Sequence, residues 1–171
     1  IKFASMSDVL KILDSNQINQ KILSLSWQVF EDNFSEKEIA LVGIGAQGSL
    51  IAEQVKFHLN TISTLKTTVF SLDVDRDKPF NKVSTKFTEN DFKNKVIILI
   101  DDVLHSGKTL TYAFKTFLDI SVKKMAVLVL IDRNHNTFPV KANYVGLSLS
   151  TTLKEYIEVV LKGSNKGVYL S

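Results

Sequence analysis

Residues 96–109, V-I-I-L-I-D-D-V-L-H-S-G-K-T, decide the fold and indicate where a ligand binds. The first part, residues 96–100, is wholly apolar and predicts a strand that is buried on both faces. Two adjacent carboxylates, Asp101 and Asp102, follow, and a short polar loop then leads into a helix predicted over residues 108–118. This order is typical of an α/β protein whose ligand lies beyond the carboxyl ends of parallel strands.

The rest of the chain also alternates between helix and strand. An apolar face predicts a helix from Ser15 to Asn33, with Ser15 or Asn16 as its N-cap. The other predicted elements are strands at 39–42, 67–72, 126–131, 144–145 and 156–160 and a helix at 49–59. We therefore expect one α/β domain over residues 1–171, with a mostly parallel central sheet flanked by helices. Residues 73–94 show no clean period and predict a long polar loop.

Composition excludes several classes of protein. A chain of 171 residues, 44% hydrophobic and 23% charged, is typical of a globular domain and excludes a disordered protein. The lack of cysteine excludes disulfides and thiolate metal sites. The apolar runs are far shorter than the ~20 residues that span a bilayer, and we expect a cytoplasmic protein. The net charge of +3 comes with only two arginines, Arg76 and Arg133, which does not favour a dedicated nucleic-acid reader.

The loop after the strand at 39–42 has the sequence G-I-G-A-Q-G over residues 43–48, a literal G-x-G-x-x-G. Its glycines allow close approach of the backbone, and the helix N-terminus that follows attracts an anion. The motif leaves open a nucleotide cofactor, another phosphate or pyrophosphate ligand, and a simple tight turn. The first is the weakest, because only Asp73 is available as the acidic residue expected about 20 positions further on.

The loop after Asp102 offers groups that suit both a phosphate and a diol. It ends in Gly-Lys-Thr like a P-loop, but Asp102 stands where that motif needs its first glycine. Backbone N–H groups of residues 106–109, with the hydroxyls of Ser106 and Thr109, can cradle a phosphate dianion. The two carboxylates can accept hydrogen bonds from a vicinal diol or hold Mg²⁺ through water. Together these groups suit a ribose 5-phosphate.

The stretch VIILIDDVLHSGKTL resembles the motif with which type I phosphoribosyltransferases bind phosphoribosyl diphosphate (PRPP). Further segments resemble the branch of pyrimidine-operon attenuators and uracil phosphoribosyltransferases, and these are residues 12–14, 42–48, 76–77, 130–135 and 139–146. The resemblance implies the type I phosphoribosyltransferase fold. It also implies a flexible loop over about residues 73–94 and a small hood formed by residues from about 133–171 with the N-terminal segment.

The resemblance implies a role for particular residues in this sequence. The residues that would hold the 5-phosphate are His105, Ser106, Gly107, Lys108 and Thr109. Those that would lie against the pyrophosphate are Ala46, Gln47 and Gly48. The catalytic residues would be Asp101, Asp102 and Arg76, with Lys78 as a substitute for Arg76, and the two aspartates would also hold Mg²⁺ through water or the ribose diol. Those near the base would be Val103, Asp132 and Arg133.

The implied reaction is transfer of phosphoribose from PRPP to a pyrimidine, with uracil favoured, which yields UMP and pyrophosphate. Such a reaction relies on positioning and on stabilisation of the leaving group, which fits a chain without a nucleophilic triad. Gln47 and Asn136 stand where the family tends to have basic residues. Two alternatives therefore stay open: a weakly catalytic nucleotide sensor with an RNA or protein partner, and a purine-type phosphoribosyltransferase. We expect a homodimer, do not favour RNA binding, and place Trp27 in the core or at the dimer contact.

Overall fold

The computed structural model describes residues 9–74, 87–150 and 155–171, so Arg76 and Lys78 lie outside the described residues. The strands are β1 (Leu10–Asp14), β2 (Glu38–Ile44), β3 (Lys66–Leu72), β4 (Val96–Leu104), β5 (Lys124–Asp132), β6 (Tyr144–Ser148), β7 (Ile157–Val160) and β8 (Gly167–Leu170). The helices are α1 (Ser15–Asn33), α2 (Gly45–Ile62) and α3 (Lys108–Lys115), with a 3-10 turn at Glu89–Asp91. Among these helices, none is both long enough and apolar enough to cross a bilayer.

Five strands form a parallel sheet in the order β3-β2-β4-β5-β6. Successive residues of a strand point to opposite faces, and both faces of β4 are buried. Ile98 and Ile100 pack into a core with helices α1 and α2, whereas Ile97 and Leu99 pack into a second core with α3. The wholly apolar strands thus result from a sheet covered on both sides, which confirms the predicted fold class.

The N-cap of helix α1 lies one or two residues earlier than the sequence predicts. The Asp14 side chain accepts a hydrogen bond from the Gln17 N–H at 2.8 Å, and the Gln17 side chain accepts one from the Asp14 N–H at 2.9 Å. This reciprocal pair is a capping box, so the prediction of Ser15 or Asn16 as the N-cap is wrong. The reason is that β1 runs directly into the helix and its last residue serves as the cap.

A second sheet is antiparallel and has the order β1-β8-β7. Strands β1 and β8 are short and partly exposed, and the sequence did not predict them. Strand β6 lies within the range predicted for the hood, but it pairs with β5 in the parallel sheet. The hood itself and its division from the rest of the domain stay a prediction.

Residues 87–94 differ from the polar loop that the sequence predicts. Phe92 is fully buried, and its ring centroid lies 4.7 Å from that of Phe70 and 5.0 Å from that of Phe117. Phe87 stacks in the same cluster. The abundance of lysine around these rings hid their apolar character, and the described end of the segment is anchored on the core.

Trp27 is 45% exposed on α1, so the prediction that it lies in the core is wrong. The apolar face of the helix that carries Ile18 and Ile22 is the buried one, and Trp27 lies off it. The alternative, a contact between two protomers, stays a prediction.

Candidate active site

The acidic pair lies inside strand β4. The sequence predicts instead that the pair follows the end of the strand. Asp101 pairs with Val129 of β5, and Val103 pairs with Ile131. The two carboxylate residues are 3% and 7% exposed, and Asp101 Oδ1 accepts a hydrogen bond from the Asp102 N–H at 2.9 Å. The extended backbone therefore holds both carboxylates rigidly at the carboxyl-terminal edge of the sheet.

The loop after β4 encloses a cavity of about 170 Å³. Gly107 has φ +82° and caps helix α3, a left-handed conformation that favours glycine. The Ser106 carbonyl accepts hydrogen bonds from the N–H groups of Thr137 and Phe138, both at 3.0 Å. The residues that line this cavity are Asp101, Val103, Leu104, His105, Ser106, Gly107, Lys108, Thr109 and Leu110. The loop predicted to hold a phosphate thus forms a cradle at a helix N-terminus, braced from outside by residues 137–138.

The glycine-rich loop brings helix α2 unusually close to the sheet. A Cβ on Gly48 would lie 2.4 Å from the Ile100 carbonyl oxygen, and one on Gly43 would lie 2.3 Å from Ser49 Cα. Gly45 has φ +62°, and no neighbour lies within 4 Å of the position that a Cβ would take there. Two glycines of the motif therefore serve close packing, and only the middle one serves the turn. Since the N-cap residue Ile44 makes no side-chain hydrogen bond, the backbone N–H groups at the start of α2 have no side-chain cap.

A larger cavity of about 430 Å³ lies beside the smaller one after β4. Val103 and His105 line both cavities, so the two are neighbours. The residues that line the larger one are Gly45, Ala46, Gln47, Asp102, Val103, His105, Arg133, Tyr156, Ile157, Glu158 and Val159. Loops from β2, β4 and β5 and the strand β7 therefore meet around one space, as expected at the carboxyl edge of a parallel sheet.

Two of the three residues predicted near the base, Val103 and Arg133, line this cavity. Arg133 is 2% exposed, and its Nη2 donates a hydrogen bond to the Glu155 carbonyl at 2.7 Å. Asp132 has another task, because its Oδ1 accepts a hydrogen bond from the Asn134 N–H at 2.9 Å. Asn134 has φ +56°, so the Asp132 carboxylate stabilises a left-handed turn.

The charge around His105 is set by its neighbours. Partial burial is the largest cause that lowers the pKa of His105 below its ordinary value of 6.5. The positive charges of Arg133 and His135 lower this pKa further. The imidazole is therefore neutral near neutral pH, and the cation that lines the smaller cavity is Lys108.

Ile157, Glu158 and Val159 of β7, with Tyr156 just before the strand, line the cavity, although the sequence marked them only as part of a short strand. The alternation of Ile157 and Val159 with polar residues showed that one face is buried, but not what that face packs against. Thr137 and Phe138, which support the loop after β4, were missed because the sequence does not show what they pack against. Arg76, predicted as a catalytic residue, lies outside the described residues.

In the described ranges, no group of three or more His, Cys, Asp or Glu side chains is arranged to hold a metal ion. A pair of carboxylates still fits Mg²⁺, which commonly binds one or two carboxylates and takes its other ligands from substrate phosphates and water. Asp101 and Asp102, beside the two cavities, are the residues that would hold such an ion.

Residues 8–160 match the model of the phosphoribosyl transferase domain, so the chain belongs to the phosphoribosyltransferase family. Its sequence is 32% identical over 164 residues to the bifunctional protein PyrR of Caldicellulosiruptor bescii, which covers 91% of this chain and 90% of that protein. It is 31% identical over 159 residues to the bifunctional protein PyrR of Fusobacterium nucleatum, with 88% and 90% covered. Within the family, the chain therefore resembles PyrR, as the sequence motifs predicted.

The fold is also that of solved phosphoribosyltransferases. A hypoxanthine-guanine phosphoribosyltransferase of Bacillus anthracis superposes with a TM-score of 0.74 at 19% identity, over 94% of this chain and 96% of that one. The hypoxanthine phosphoribosyltransferase of Trypanosoma cruzi gives a TM-score of 0.70 at 12% identity, with 81% of each chain covered. These likenesses confirm the type I phosphoribosyltransferase fold.

Proposed function

We propose that this phosphoribosyltransferase transfers phosphoribose from PRPP to a pyrimidine, with uracil as the acceptor, and releases UMP and pyrophosphate. One observation carries the proposal: the loop after β4 and the buried acidic pair line two neighbouring cavities, and strand β7 forms part of the lining of the larger one. A ribose 5-phosphate needs an anion site and diol acceptors a short distance apart, and this arrangement supplies both. The choice of a pyrimidine follows from the resemblance of residues 130–146 to the pyrimidine branch.

The 5-phosphate end of the donor would occupy the cradle of about 170 Å³. His105, Ser106, Gly107, Lys108 and Thr109 would bind it through backbone N–H groups, hydroxyls and the Lys108 ammonium. Both carboxylates are buried beside this cradle and would accept hydrogen bonds from the ribose hydroxyls. The ribose would therefore be oriented before the base arrives, which lowers the entropic cost of reaction.

The pyrophosphate would lie at the start of α2, against Ala46, Gln47 and Gly48, where the backbone N–H groups of the first helical turn have no side-chain cap. When bound, Mg²⁺ would neutralise the charge of the diphosphate, with Asp101 and Asp102 as its protein ligands through water or the diol. Arg76 would add a further positive charge.

In the proposed reaction, a ring nitrogen of the base forms a bond to ribose C1 and loses its proton to water or to the departing pyrophosphate, while the bond from C1 to the pyrophosphate oxygen breaks. Positive charge develops on the ribose ring, and the negative charge of the leaving group is stabilised by fixed donors. Val103 and Arg133 line the cavity where the base would lie. This part of the protein supplies position and exclusion of water, with no covalent nucleophile.

The experiment is incubation with PRPP, Mg²⁺ and a panel of uracil, cytosine, hypoxanthine and guanine, with release of pyrophosphate and formation of nucleotide measured. We expect UMP from uracil. Product from purines alone would overturn the pyrimidine assignment. No product from any base, together with measurable UMP binding by calorimetry, would overturn the enzyme assignment.

A second candidate is a nucleotide-sensing regulator with an RNA or protein partner. Gln47 favours it, because a neutral amide stands at the pyrophosphate loop where the family tends to carry a cation, and this weakens binding of PRPP. Strong affinity for a pyrimidine-leader RNA hairpin that falls steeply with salt would favour this candidate. The homodimer and the cytoplasmic location stay predictions, and analytical ultracentrifugation tests the first.

A further inference from the structure

The Gln47 side chain, which lines the larger cavity, makes a hydrogen bond to the second sheet. Its Nε2 donates a hydrogen bond to the Val159 carbonyl of β7 at 3.0 Å, which joins residues 112 positions apart in the sequence. Its Oε1 is buried and accepts no hydrogen bond from any residue in the described ranges. The amide is thus hydrogen-bonded to β7.

Arg133 also makes a hydrogen bond to this segment of the chain, a few residues before Val159. Its Nη2 donates to the Glu155 carbonyl at 2.7 Å. The two bonds therefore hold the same segment of backbone at both ends, and the residues between them, Tyr156, Ile157 and Glu158, line the larger cavity. These two side chains, one from the start of α2 and one from the residue after β5, thus tie this wall to the parallel sheet, and Ile157 and Val159 also pack into the core.

A buried acceptor without a partner costs stability, whereas the hydrogen bond that Nε2 makes contributes only modestly. Gln47 is therefore poorly explained as a stabilising residue of the fold. A role in placing β7 explains both its reach and its half-satisfied amide.

We infer that Gln47 is a positioning residue, which ties the start of α2 to β7 and so sets the wall of the cavity at residues 156–158. The expected effect of Gln47 on the reaction rests on the proposed function, because the base is proposed to bind in the cavity that this wall lines. The Gln47 backbone N–H would bind the pyrophosphate, and its side chain would determine where the base lies. Its loss should raise the KM for the base and leave the KM for PRPP nearly unchanged.

The test is hydrogen exchange of the free protein, which needs no substrate and so stands apart from the proposed reaction. Gln47→Ala removes the amide, and Gln47→Glu keeps the shape but has no N–H donor at neutral pH. In both variants, we expect the amides of residues 155–161 to exchange about 2–10-fold faster, as expected for the loss of one hydrogen bond. Gln28→Ala, at an exposed position of α1, is the matched control and should exchange like the wild type.

A pH series on Gln47→Glu supplies a second measurement. At low pH the carboxyl group is protonated and regains an O–H donor for the Val159 carbonyl. The protection of residues 155–161 in this variant should therefore approach that of the wild type as the pH falls, whereas Gln47→Ala should stay less protected throughout. Equal pH dependence in the two variants would argue against a donor at this position.

Three results would overturn the inference. The first is unchanged exchange at residues 155–161 in Gln47→Glu at neutral pH. The second is faster exchange throughout the chain, since that indicates general destabilisation. The third, measured on the active enzyme, is a rise in the KM for PRPP with no change in the KM for the base, since that places the side chain on the donor.

Discussion

Gly48 offers the sharpest test of how the pyrophosphate loop is positioned. In Gly48→Ala, the new Cβ would lie 2.4 Å from the Ile100 carbonyl oxygen, whereas ordinary contact begins at 3.4 Å. The obstacle is backbone in the middle of the sheet and cannot rotate away. Helix α2 must therefore move away from β4 by about 1 Å, because a close-packed interior transmits such strain.

This movement should affect both stability and activity. Overpacking of this kind destabilises a protein by about 1–3 kcal/mol. A displacement of about 1 Å in the groups that position a substrate can cost roughly 100-fold in rate. We expect kcat/KM for PRPP to fall by about that factor, which corresponds to about 2.7 kcal/mol of lost transition-state stabilisation.

The measurements are urea denaturation and steady-state kinetics with varied PRPP, and Gly163→Ala is the control. Gly163 has φ +81°, and no neighbour lies within 4 Å of the position that an alanine methyl would take. Alanine there strains the backbone by about 1–2 kcal/mol but displaces nothing. We expect Gly163→Ala to lose stability and keep its kcat/KM. Full activity in Gly48→Ala, or an equal loss in Gly163→Ala, would refute the reasoning from close approach.

Three further predictions concern titratable groups. The double change Asp101→Asn with Asp102→Asn should abolish PRPP binding, measured by calorimetry, while circular dichroism shows a folded chain; unchanged affinity would contradict our placement of the ribose. His105 should titrate below its ordinary pKa of 6.5 by NMR, and UMP should raise that pKa because a phosphate dianion favours the imidazolium; no response to UMP would argue against a phosphate at this loop. Burial raises the pKa of Tyr144 to about 12, although a hydrogen bond from Asn33 acts in the opposite direction. The unfolded chain would ionise this phenol near 10 and the folded chain would not, so stability should fall between pH 10 and about 12, and less so in Tyr144→Phe; identical pH dependence in the two proteins would contradict the assignment.

Local patterns predicted most of the parallel sheet. The apolar runs of β4 and β5 report burial on both faces, and periodicity marked α1 and α2. Boundaries were less accurate, because the extension of β4 through Asp101 and Asp102 depends on pairing with β5, and a carboxylate pair has no intrinsic strand preference. The cap at Asp14 was missed for a similar reason, since it is the end of a strand that exists only through its pairing with β8.

The sequence by itself determined the class of the protein and the position of the loop proposed to hold the 5-phosphate. These depend on contiguous residues, because a wholly apolar run predicts a buried strand and a glycine before a helix adopts the left-handed conformation locally. Only the tertiary structure decided what faces this loop. The bonds from Gln47 to Val159 and from Arg133 to Glu155 join separate segments, and no local pattern reports which distant carbonyl a buried side chain will reach. The loop proposed to hold the 5-phosphate could therefore be predicted from contiguous residues. The wall formed by β7 depends on how the two sheets pack.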